Sequence, residues 1–299
     1  MKKVLSISLG SSKRDHRVKT TILGENFIIE RKGTDGDKNK ATRLFSELDG
    51  KYDAFGLGGI DLYIWSAGRH YAFRDARKLI KNVHKTPVLD GSGLKNTLER
   101  RVISYLEENS IISINKQKVL MVSAVDRFGM AETFAELGAN LTLGDLIFGL
   151  KIPIAIKSIK TLDIIARIVA PLITKLPFEL IYPTGEKQDH SVHDKYKKYY
   201  YNANIIAGDF HFIRSYMPED MTDKIIITNT VTPDNIKDLK ERGIKMLITT
   251  TPELDGRSFG TNVMEGILVA LSGKEYLTAT DYNKLLDRLN FTPRIIKYN

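Results

Sequence analysis

The sequence predicts an α/β protein with a doubly wound, mainly parallel Rossmann-like sheet and a smaller N-terminal α/β domain. Strands alternate with helices beyond residue 112, which is the rhythm of a parallel sheet. The run 118–125 is continuously apolar, as expected of a strand buried on both faces. The 299 residues are 42% hydrophobic and 27% charged, which is ordinary globular composition and enough for two compact units. We therefore assign residues 1–112 to an N-terminal substrate domain and residues 113–299 to a Rossmann-like nucleotide-binding domain.

The N-terminal domain is predicted from short patterned segments. Apolar residues alternate on both sides of a turn at 24–26, which indicates a hairpin over 16–31. Apolar residues recur at helical spacing in Lys38–Leu48 after the turn 34–37. The other predicted elements are the strands 4–9, 52–57 and 87–90 and the helices 74–83 and 94–107.

The second domain is predicted from its alternating pattern. Gly138 ends a helix over 130–137, and Gly243 follows the helix Pro233–Glu241. Segment 146–176 is mostly helical by pattern, with prolines that interrupt it. The predicted strands are 118–125, 140–143, 178–182, 205–207, 224–227 and 245–248, and two more helices are expected near 263–271 and 281–289.

Composition narrows the function classes. The chain has no cysteine, which excludes disulfides and thiolate chemistry. The N-terminal apolar run is too short for a signal peptide and no segment is long enough to span a bilayer, so we expect a cytoplasmic protein. The polar run around His190 and His193, with Asp189 and Asp194, is better explained as a solvated helix face than as a metal site.

The net charge of +9 is uneven, since residues 1–110 carry a surplus of seven basic residues and the rest a surplus of two. A basic N-terminal domain favours a small anionic metabolite, although a generally solvated basic surface explains the charge equally well. The basic residues are scattered among acidic ones, so we expect neither nucleic acid nor a membrane as partner. The oligomeric state stays open, a homo-oligomer included.

The segment after the first strand of the second domain is the candidate cofactor site. A turn between a strand and a helix meets nucleotide phosphates in doubly wound sheets, because amides at the helix N-terminus point into the crevice. Asp145 lies about twenty residues further on, where an acidic residue can bind a ribose. The glycine triplet of dinucleotide sites is absent, and helix capping by Asp126 and Asp145 is the alternative. The candidate residues are Ser123, Asp126, Arg127, Phe128, Gly129 and Asp145.

Two further segments place polar groups near the predicted crevice. Thr228, Asn229 and Thr230 follow a buried strand, at the sheet edge where ligands bind in open α/β folds. Arg257 stands in a glycine-flanked loop and could clamp a carboxylate or phosphate, while Asn262 opens a helix. Ordinary helix capping and a surface loop are the alternatives for these segments.

The N-terminal domain supplies the candidate substrate site. Lys95 follows a Gly-Ser-Gly turn and opens a helix, and Asp90 ends the preceding strand, so the two could share a proton with a hydroxyl group. A capped helix with a solvated lysine is the alternative. The candidate substrate-binding residues around this pair are Ser11, Ser12, His16, Asp61, Asn96 and Thr97.

The segments 5–17, 53–61, 90–97 and 257–265 together resemble a bacterial family of quinate 5-dehydrogenases, and the resemblance covers nearly the whole chain. It implies a two-domain, NAD- or NADP-dependent oxidoreductase related to shikimate dehydrogenases, with a cleft between the domains. The N-V-T-x-P-x-K, N-T-D-x-x-G and G-A-G-G-A motifs of shikimate dehydrogenases have no match in this sequence.

The leading prediction is hydride transfer between NAD or NADP and a hydroxylated carboxylate of the quinate or shikimate type. Lys95 and Asp90 would handle the proton. The alternatives are a nucleotide- or metabolite-binding protein, or a transferase, on the same fold without dehydrogenase activity.

Overall fold

A computed structural model describes residues 1–66, 69–176, 194–251, 253–254, 257–258 and 260–298. It contains two sheets with helices on both faces, so the α/β, doubly wound prediction is confirmed. Within the described part, no helix is both long and apolar enough to cross a bilayer. The predicted strand 178–182 and the polar run 186–193 lie outside the described residues.

The first sheet is formed by residues near the N-terminus and has the strand order β2-β3-β1-β4-β7. β2 and β3 form the expected hairpin, whose turn at Leu23 and Gly24 has left-handed backbone angles at both positions. The other neighbours pair in parallel. The strands are β1 (Lys2–Ser8), β2 (His16–Ile22), β3 (Glu25–Gly33), β4 (Ala54–Gly58) and β7 (Val88–Leu89). The sequence did not predict the separate hairpin of β5 (Tyr63–Ser66) and β6 (Arg69–Ala72).

The side chains of β1 alternate between the two faces of the first sheet, and a hydrophobic core lies on each face. Leu5 and Ile7 pack in the same core cluster as Phe45 of α1. Val4 faces the opposite side and joins the cluster that contains Leu98 of α3. The helices of this part are α1 (Lys38–Leu48), α2 (Arg74–Leu79) and α3 (Ser92–Glu108).

The second sheet has the order β15-β12-β11-β10-β8-β9, and every neighbouring pair is parallel except β12 and β15. Leu120 of β8 faces the core cluster of one side and Met121 the cluster of the other, so β8 is buried on both faces as predicted. The strands are β8 (Lys118–Met121), β9 (Asn140–Leu143), β10 (Ile205–Gly208), β11 (Ile225–Thr228), β12 (Met246–Thr249) and β15 (Arg294–Lys297), and a separate short hairpin joins β13 (Glu253–Leu254) and β14 (Arg257–Ser258).

Three expectations for this region need correction. β8 ends at Met121, so the predicted strand residues 122–125 form a loop. Segment 146–158 is not a continued helix, because a π-helical turn (Asp145–Gly149) is followed by extended chain whose Ile156 bridges antiparallel to Leu143. The edge strand β15 was not expected.

The helices of this part include one that returns to the first sheet. α9 packs against β1 and β4 as well as α3, although it follows the second sheet in sequence. The division of the chain at residue 112 stays a prediction. The helices are α4 (Phe128–Glu136), α5 (Ile159–Ile173), α6 (Asp194–Tyr201), α7 (Phe210–Tyr216), α8 (Pro233–Glu241), α9 (Thr261–Ser272) and α10 (Ala279–Arg288).

Candidate functional site

The strand order reverses between β8 and β10, which makes this point the topological switch of the second sheet. Ligands of open α/β folds bind in the crevice beside the carboxyl ends of the strands at such a point. The N-terminal half of α3 lies against this edge and closes one wall of a narrow crevice with about 10 Å³ of free space, which is room for one water molecule or one hydroxyl group. Its lining residues are Tyr63, Ser92, Lys95, Asn96, Glu99, Asp126, Arg127 and Phe128.

Lys95 is the cation at the centre of this crevice. Its ammonium nitrogen donates to Asp126 Oδ1 at 2.8 Å and lies 3.8 Å from Asp61 Oδ1. The Lys95 side chain is only 9% exposed, because it points from α3 towards the loop after β8. The structure therefore brings together three predicted site residues from three separate segments.

Burial and charge set the protonation of this group. Burial raises the pKa of Asp61 to about 7, against the lowering effect of Lys95, and the neighbouring carboxylates of Asp126 and Asp90 raise it further. Burial alone would lower the pKa of Lys95, but the carboxylates of Asp126 and Asp61 hold it above its ordinary value. Lys95 is consequently a fixed cation, and Asp61 is its neighbour that can gain or lose a proton near neutral pH.

A second ion pair lies one helical turn further along α3. The guanidinium of Arg127 bonds to Glu99 and lies 3.3 Å from Asp209 Oδ2. Both Arg127 and Glu99 are almost fully buried, with 2% and 1% of their side chains exposed. Asn229 completes the chain of contacts by donating its side-chain amide to Asp209 at 2.9 Å.

The pKa values of this second group follow from the same two causes. Burial raises the pKa of Glu99 to about 7, although Arg127 acts to lower it. Burial would lower the pKa of Arg127, but Glu99 and Asp209 raise it above its ordinary value. For Asp209, burial acts to raise the pKa, but His211 and Arg127 together hold it below the usual range.

Some buried polar atoms without a hydrogen-bond partner belong to the crevice lining and to the residues around the loop after β8. Among the described residues, Glu99 Oε2, Arg127 Nε, Ser123 Oγ and Asp145 Oδ2 are buried without a hydrogen-bond partner. Buried polar groups in native proteins normally have partners, and exceptions often mark functional positions. Glu99 and Arg127 line the crevice, so their unpaired atoms are consistent with a polar ligand there.

The predicted phosphate turn does not fit a nucleotide pyrophosphate. Asp145 Oδ1 accepts the amides of Ala124 and Val125, at 2.9 and 2.8 Å, so an internal carboxylate already occupies the groups that would bind a phosphate. Burial raises the pKa of Asp145 to about 6, while these amides act to lower it. The Asp145 carboxylate thus holds the loop through Oδ1, and the expectation that Asp145 binds a ribose stays a prediction.

The other residues of that turn are also engaged. Arg127 is held in ion pairs with Glu99 and Asp209, and the expectation that it attracts a phosphate stays a prediction. Gly129 lies against α3, where a Cβ would come within 2.8 Å of the Asn96 carbonyl oxygen, so its small size serves helix packing. Phe128 is buried at the start of α4 and lines the crevice.

Asp90 does not share a proton with Lys95. Its carboxylate accepts the amides of Leu62 and Tyr63, at 2.6 and 3.0 Å, and both the amide and the hydroxyl of Ser92. Four donors on one carboxylate fix the loop between β4 and β5, which carries Asp61. Asp90 is thus a positioning residue for the crevice, and the expected pairing with Lys95 is corrected.

The predicted polar cluster after β11 is an internal network. The Thr228 hydroxyl donates to the Gly208 carbonyl at 2.8 Å, and Asn229 bridges to Asp209. Thr230 is half-buried after the same strand. These residues support the loop that carries Asp209 at the switch point.

The remaining predicted substrate residues occupy the first sheet and its surroundings. The Ser11 carbonyl and the Ser12 amide bond to Arg31 and Asp35, and His16 contacts the Arg14 carbonyl oxygen, so these three stabilise the loop after β1.

On α3, Thr97 is buried and Asn96 faces Gly129 across to α4. Asn262 donates to the Ser6 hydroxyl at 3.0 Å, which joins the start of α9 to β1. Arg257 lies in β14, and its side chain is outside the described part.

The sequence interpretation missed Glu99 and Asp209, although both had a signal. Glu99 follows Lys95 by four residues on the same helix, which places the two side chains on one face. Asp209 directly follows a buried strand, at the sheet edge that faces ligands. Among the described residues, no group of three His, Asp or Glu side chains is arranged to hold a metal ion.

The fold and this crevice define a two-sheet α/β protein with a Rossmann-like second sheet and a buried ionic cluster at its switch point. The chain belongs to the family Domain of unknown function (DUF8754), whose model matches residues 93–298. The model of a second family, Domain of unknown function (DUF8753), matches residues 3–90. A search of curated proteins finds no match.

Solved structures with a similar arrangement are distant. A malic enzyme from Entamoeba histolytica is 11% identical, with a TM-score of 0.40 over 93% of this chain, and the chain spans 60% of its length. The NAD-dependent malic enzyme from Thermotoga maritima is 10% identical, with a TM-score of 0.35, 97% of this chain and 83% of that chain covered. A glucose-galactose binding protein from Geobacillus stearothermophilus is 7% identical, with a TM-score of 0.38 and coverages of 99% and 97%.

Proposed function

We propose that the chain is an enzyme that moves a proton at a hydroxyl group of a small hydroxylated carboxylate, with Asp61 as the proton carrier and Lys95 as the cation that orients it. The observation that carries this proposal is the group of Lys95, Asp61 and Asp126 in the switch-point crevice. A catalytic acid or base works best when its pKa lies near the operating pH, and the pKa of Asp61 is about 7.

The charge of the crevice decides which end of the substrate enters it. Four carboxyl groups surround two cations there, those of Lys95 and Arg127. A carboxylate in this position would be repelled, whereas a hydroxyl group can donate to an ionised carboxylate or accept from Lys95. We therefore assign the hydroxyl of the substrate to the crevice, with its carboxylate outside the acidic cluster. Quinate and shikimate are substrates of this class.

The oxidoreductase form of the proposal requires NAD or NADP as hydride acceptor. The residues of the turn after β8 do not fit the pyrophosphate of either cofactor, because Asp145 fills its amides and Arg127 is locked. The proposal therefore assigns no cofactor contact to this turn. Hydride transfer requires that NAD or NADP binds elsewhere on the protein.

A thermal-shift scan followed by kinetics tests the proposal. The scan uses NAD, NADP, other nucleotides, and a panel of hydroxy acids that includes quinate and shikimate. A ligand at about one hundred times its Kd raises the free energy of unfolding by about 3 kcal/mol. With a substrate in hand, Asp61→Asn is expected to lower turnover by about two to four orders of magnitude, as is usual for general acid–base groups.

Asp287→Asn is the matched control, because this aspartate is 66% exposed on α10. Its turnover is expected to equal that of the wild type. If Asp61→Asn turns over substrate at the wild-type rate, Asp61 carries no proton and the proposal is wrong.

The second candidate is a metabolite-binding protein without turnover. It is favoured by the turn after β8, where the Asp145 carboxylate already accepts the amides that a cofactor phosphate would need. A hydroxy acid that stabilises the wild type but undergoes no change on long incubation with either cofactor would select this candidate.

A further inference from the structure

Exposed aliphatic side chains concentrate in one segment of the chain. Residues 150–176 carry seven of the ten large hydrophobic side chains that are exposed in the described part. Three of them, Ile164, Ile168 and Leu172, are 59%, 64% and 64% exposed and follow one another at intervals of four along α5. They form one continuous stripe on the outer face of this helix.

The opposite face of α5 explains why the stripe is unusual. Leu162, Ala166 and Ala170 are buried and hold the helix against the body of the protein, where it contacts α4 and β5. Both faces of α5 are therefore apolar, but only the inner face packs against the rest of the protein. Contiguous exposed apolar surface of this extent marks interaction sites in soluble proteins.

Basic residues border the stripe. Residues 150–176 contain five basic residues and one acidic residue, Asp163, which pairs with Arg167 at 2.5 Å. Lys160 and Lys175 are exposed at either end of the helix. We call the outer face of α5 with these cations the basic apolar patch. Its surplus of positive charge requires an acidic partner surface.

We propose that the basic apolar patch docks on an anionic lipid membrane, with the Ile and Leu side chains entering the headgroup boundary and the lysines contacting lipid phosphates. A helix with an apolar face and flanking lysines lies in the membrane interface in this way. This inference goes beyond the proposed enzyme activity, and it departs from the expectation that no membrane is a partner.

Two observations favour a lipid surface over a protein. A second copy of this chain would bring the same surplus of positive charge against the patch, which opposes association. Protein interfaces are depleted in lysine, whereas four of the five cations of this segment are lysines. Lysine charges near an anionic membrane are each worth about fivefold in binding.

Co-sedimentation of the full chain with vesicles tests the proposal. The wild type is expected to sediment with equimolar phosphatidylcholine and phosphatidylglycerol vesicles and to stay in solution with phosphatidylcholine alone. Raised salt should weaken the binding. The paired change Lys160→Gln and Lys175→Gln should weaken it by about fivefold per lysine. The paired change Ile164→Ser and Ile168→Ser should abolish it.

Matched controls lie on other helices and loops. Lys237→Gln with Lys240→Gln removes two exposed lysines from α8, and Tyr276→Ser removes a side chain that is 82% exposed. Both controls are expected to bind anionic vesicles as the wild type does.

Four results would overturn the proposal. One is a wild type that stays in solution with anionic vesicles, and another is a loss of binding in the controls as large as that in the patch variants. A wild-type dimer that the isoleucine variant dissociates in analytical ultracentrifugation, without vesicle binding, would assign the patch to a second copy. An isoleucine variant that melts several degrees below the wild type would show that the chain itself covers these side chains.

Discussion

At the residue scale, Asp61 is a carboxyl group that the fold holds in an unfavourable environment. Its charged form lacks most of its hydration and faces Asp126 and Asp90, and only Lys95 compensates. Because the pKa of Asp61 in the folded protein, about 7, lies above the ordinary 3.8, the folded state binds its proton more tightly than the unfolded state does. The stability that this proton contributes is complete below the unfolded pKa and is lost as the pH rises through about 7.

Asp61→Asn should therefore change the pH dependence of stability. The amide cannot ionise, so the variant avoids the cost of a buried charge. We expect its free energy of unfolding to exceed that of the wild type by on the order of a few kcal/mol at about pH 8 and by less at about pH 5, because the difference disappears only below the unfolded pKa. Urea unfolding at both pH values measures this, with the exposed Asp287→Asn unchanged at both. A variant that is less stable than the wild type at about pH 8 would show that ionised Asp61 stabilises the crevice through Lys95.

The sequence predicts which residues belong to the site, but it predicts the wrong partner for Lys95. Lys95, Asp61 and Asp126 each follow a strand or open a helix, which makes them candidate site residues, and the structure brings them together. The partner of Lys95 was expected to be Asp90, five residues before it. The actual partner is 31 residues away in sequence, and the pairing depends on how α3 packs on α4, which local pattern does not determine.

At the scale of elements, α3 and α4 set the geometry of the crevice, because Lys95 lies in the first turn of α3 and Arg127 is the N-cap residue of α4. The two helices approach closely at Gly129, where an added Cβ would lie 2.8 Å from the Asn96 carbonyl oxygen and 3.0 Å from Arg100 Nε. A methyl group there must push the helices apart, since a backbone carbonyl cannot turn away.

Gly129→Ala is consequently expected to lower the free energy of unfolding by about 1–3 kcal/mol, the usual cost of overpacking, in spite of the better helix propensity of alanine. Gly149→Ala is the matched control, because a Cβ at Gly149 meets nothing within 4 Å. Urea unfolding should separate the two. Equal stability of both variants would mean that α3 and α4 can separate at this contact without cost.

Elements with strong periodicity were predicted well, and those defined by long-range contacts were not. Lys38–Leu48 and Pro233–Glu241 were predicted with their observed bounds, since apolar spacing and caps are local. The edge strand β15 has only four residues and exists through its pairing with β12. Segment 146–158 is apolar enough for a helix, but Ile156 pairs with Leu143 instead.

At the scale of the whole molecule, the ionic cluster joins the two sheets. Glu99 belongs to α3, which packs in the same core as β1 of the first sheet, while Arg127 and Asp209 follow β8 and β10 of the second. Burial raises the pKa of Glu99 from its ordinary 4.5 to about 7. The ionised carboxylate therefore destabilises the folded state unless Arg127 pairs with it. Removing one partner of such a buried ion pair strongly destabilises a protein, whereas replacing both partners with apolar residues changes the stability little.

Arg127→Met should therefore lower the free energy of unfolding by about 3–5 kcal/mol at about pH 8, since it leaves the Glu99 carboxylate buried without its partner. The loss should be smaller at about pH 5, where Glu99 carries a proton and needs no counter-charge. Combining Glu99→Met with Arg127→Met removes both charges, and Asp209 keeps the amides of Asn229 and His211. The double variant is expected to recover most of the lost stability, as urea unfolding of the three variants in a double-mutant cycle will show. If the double variant is as unstable as Arg127→Met alone at both pH values, then Arg127 joins the two sheets by packing, and the charge of Glu99 contributes nothing to the linkage.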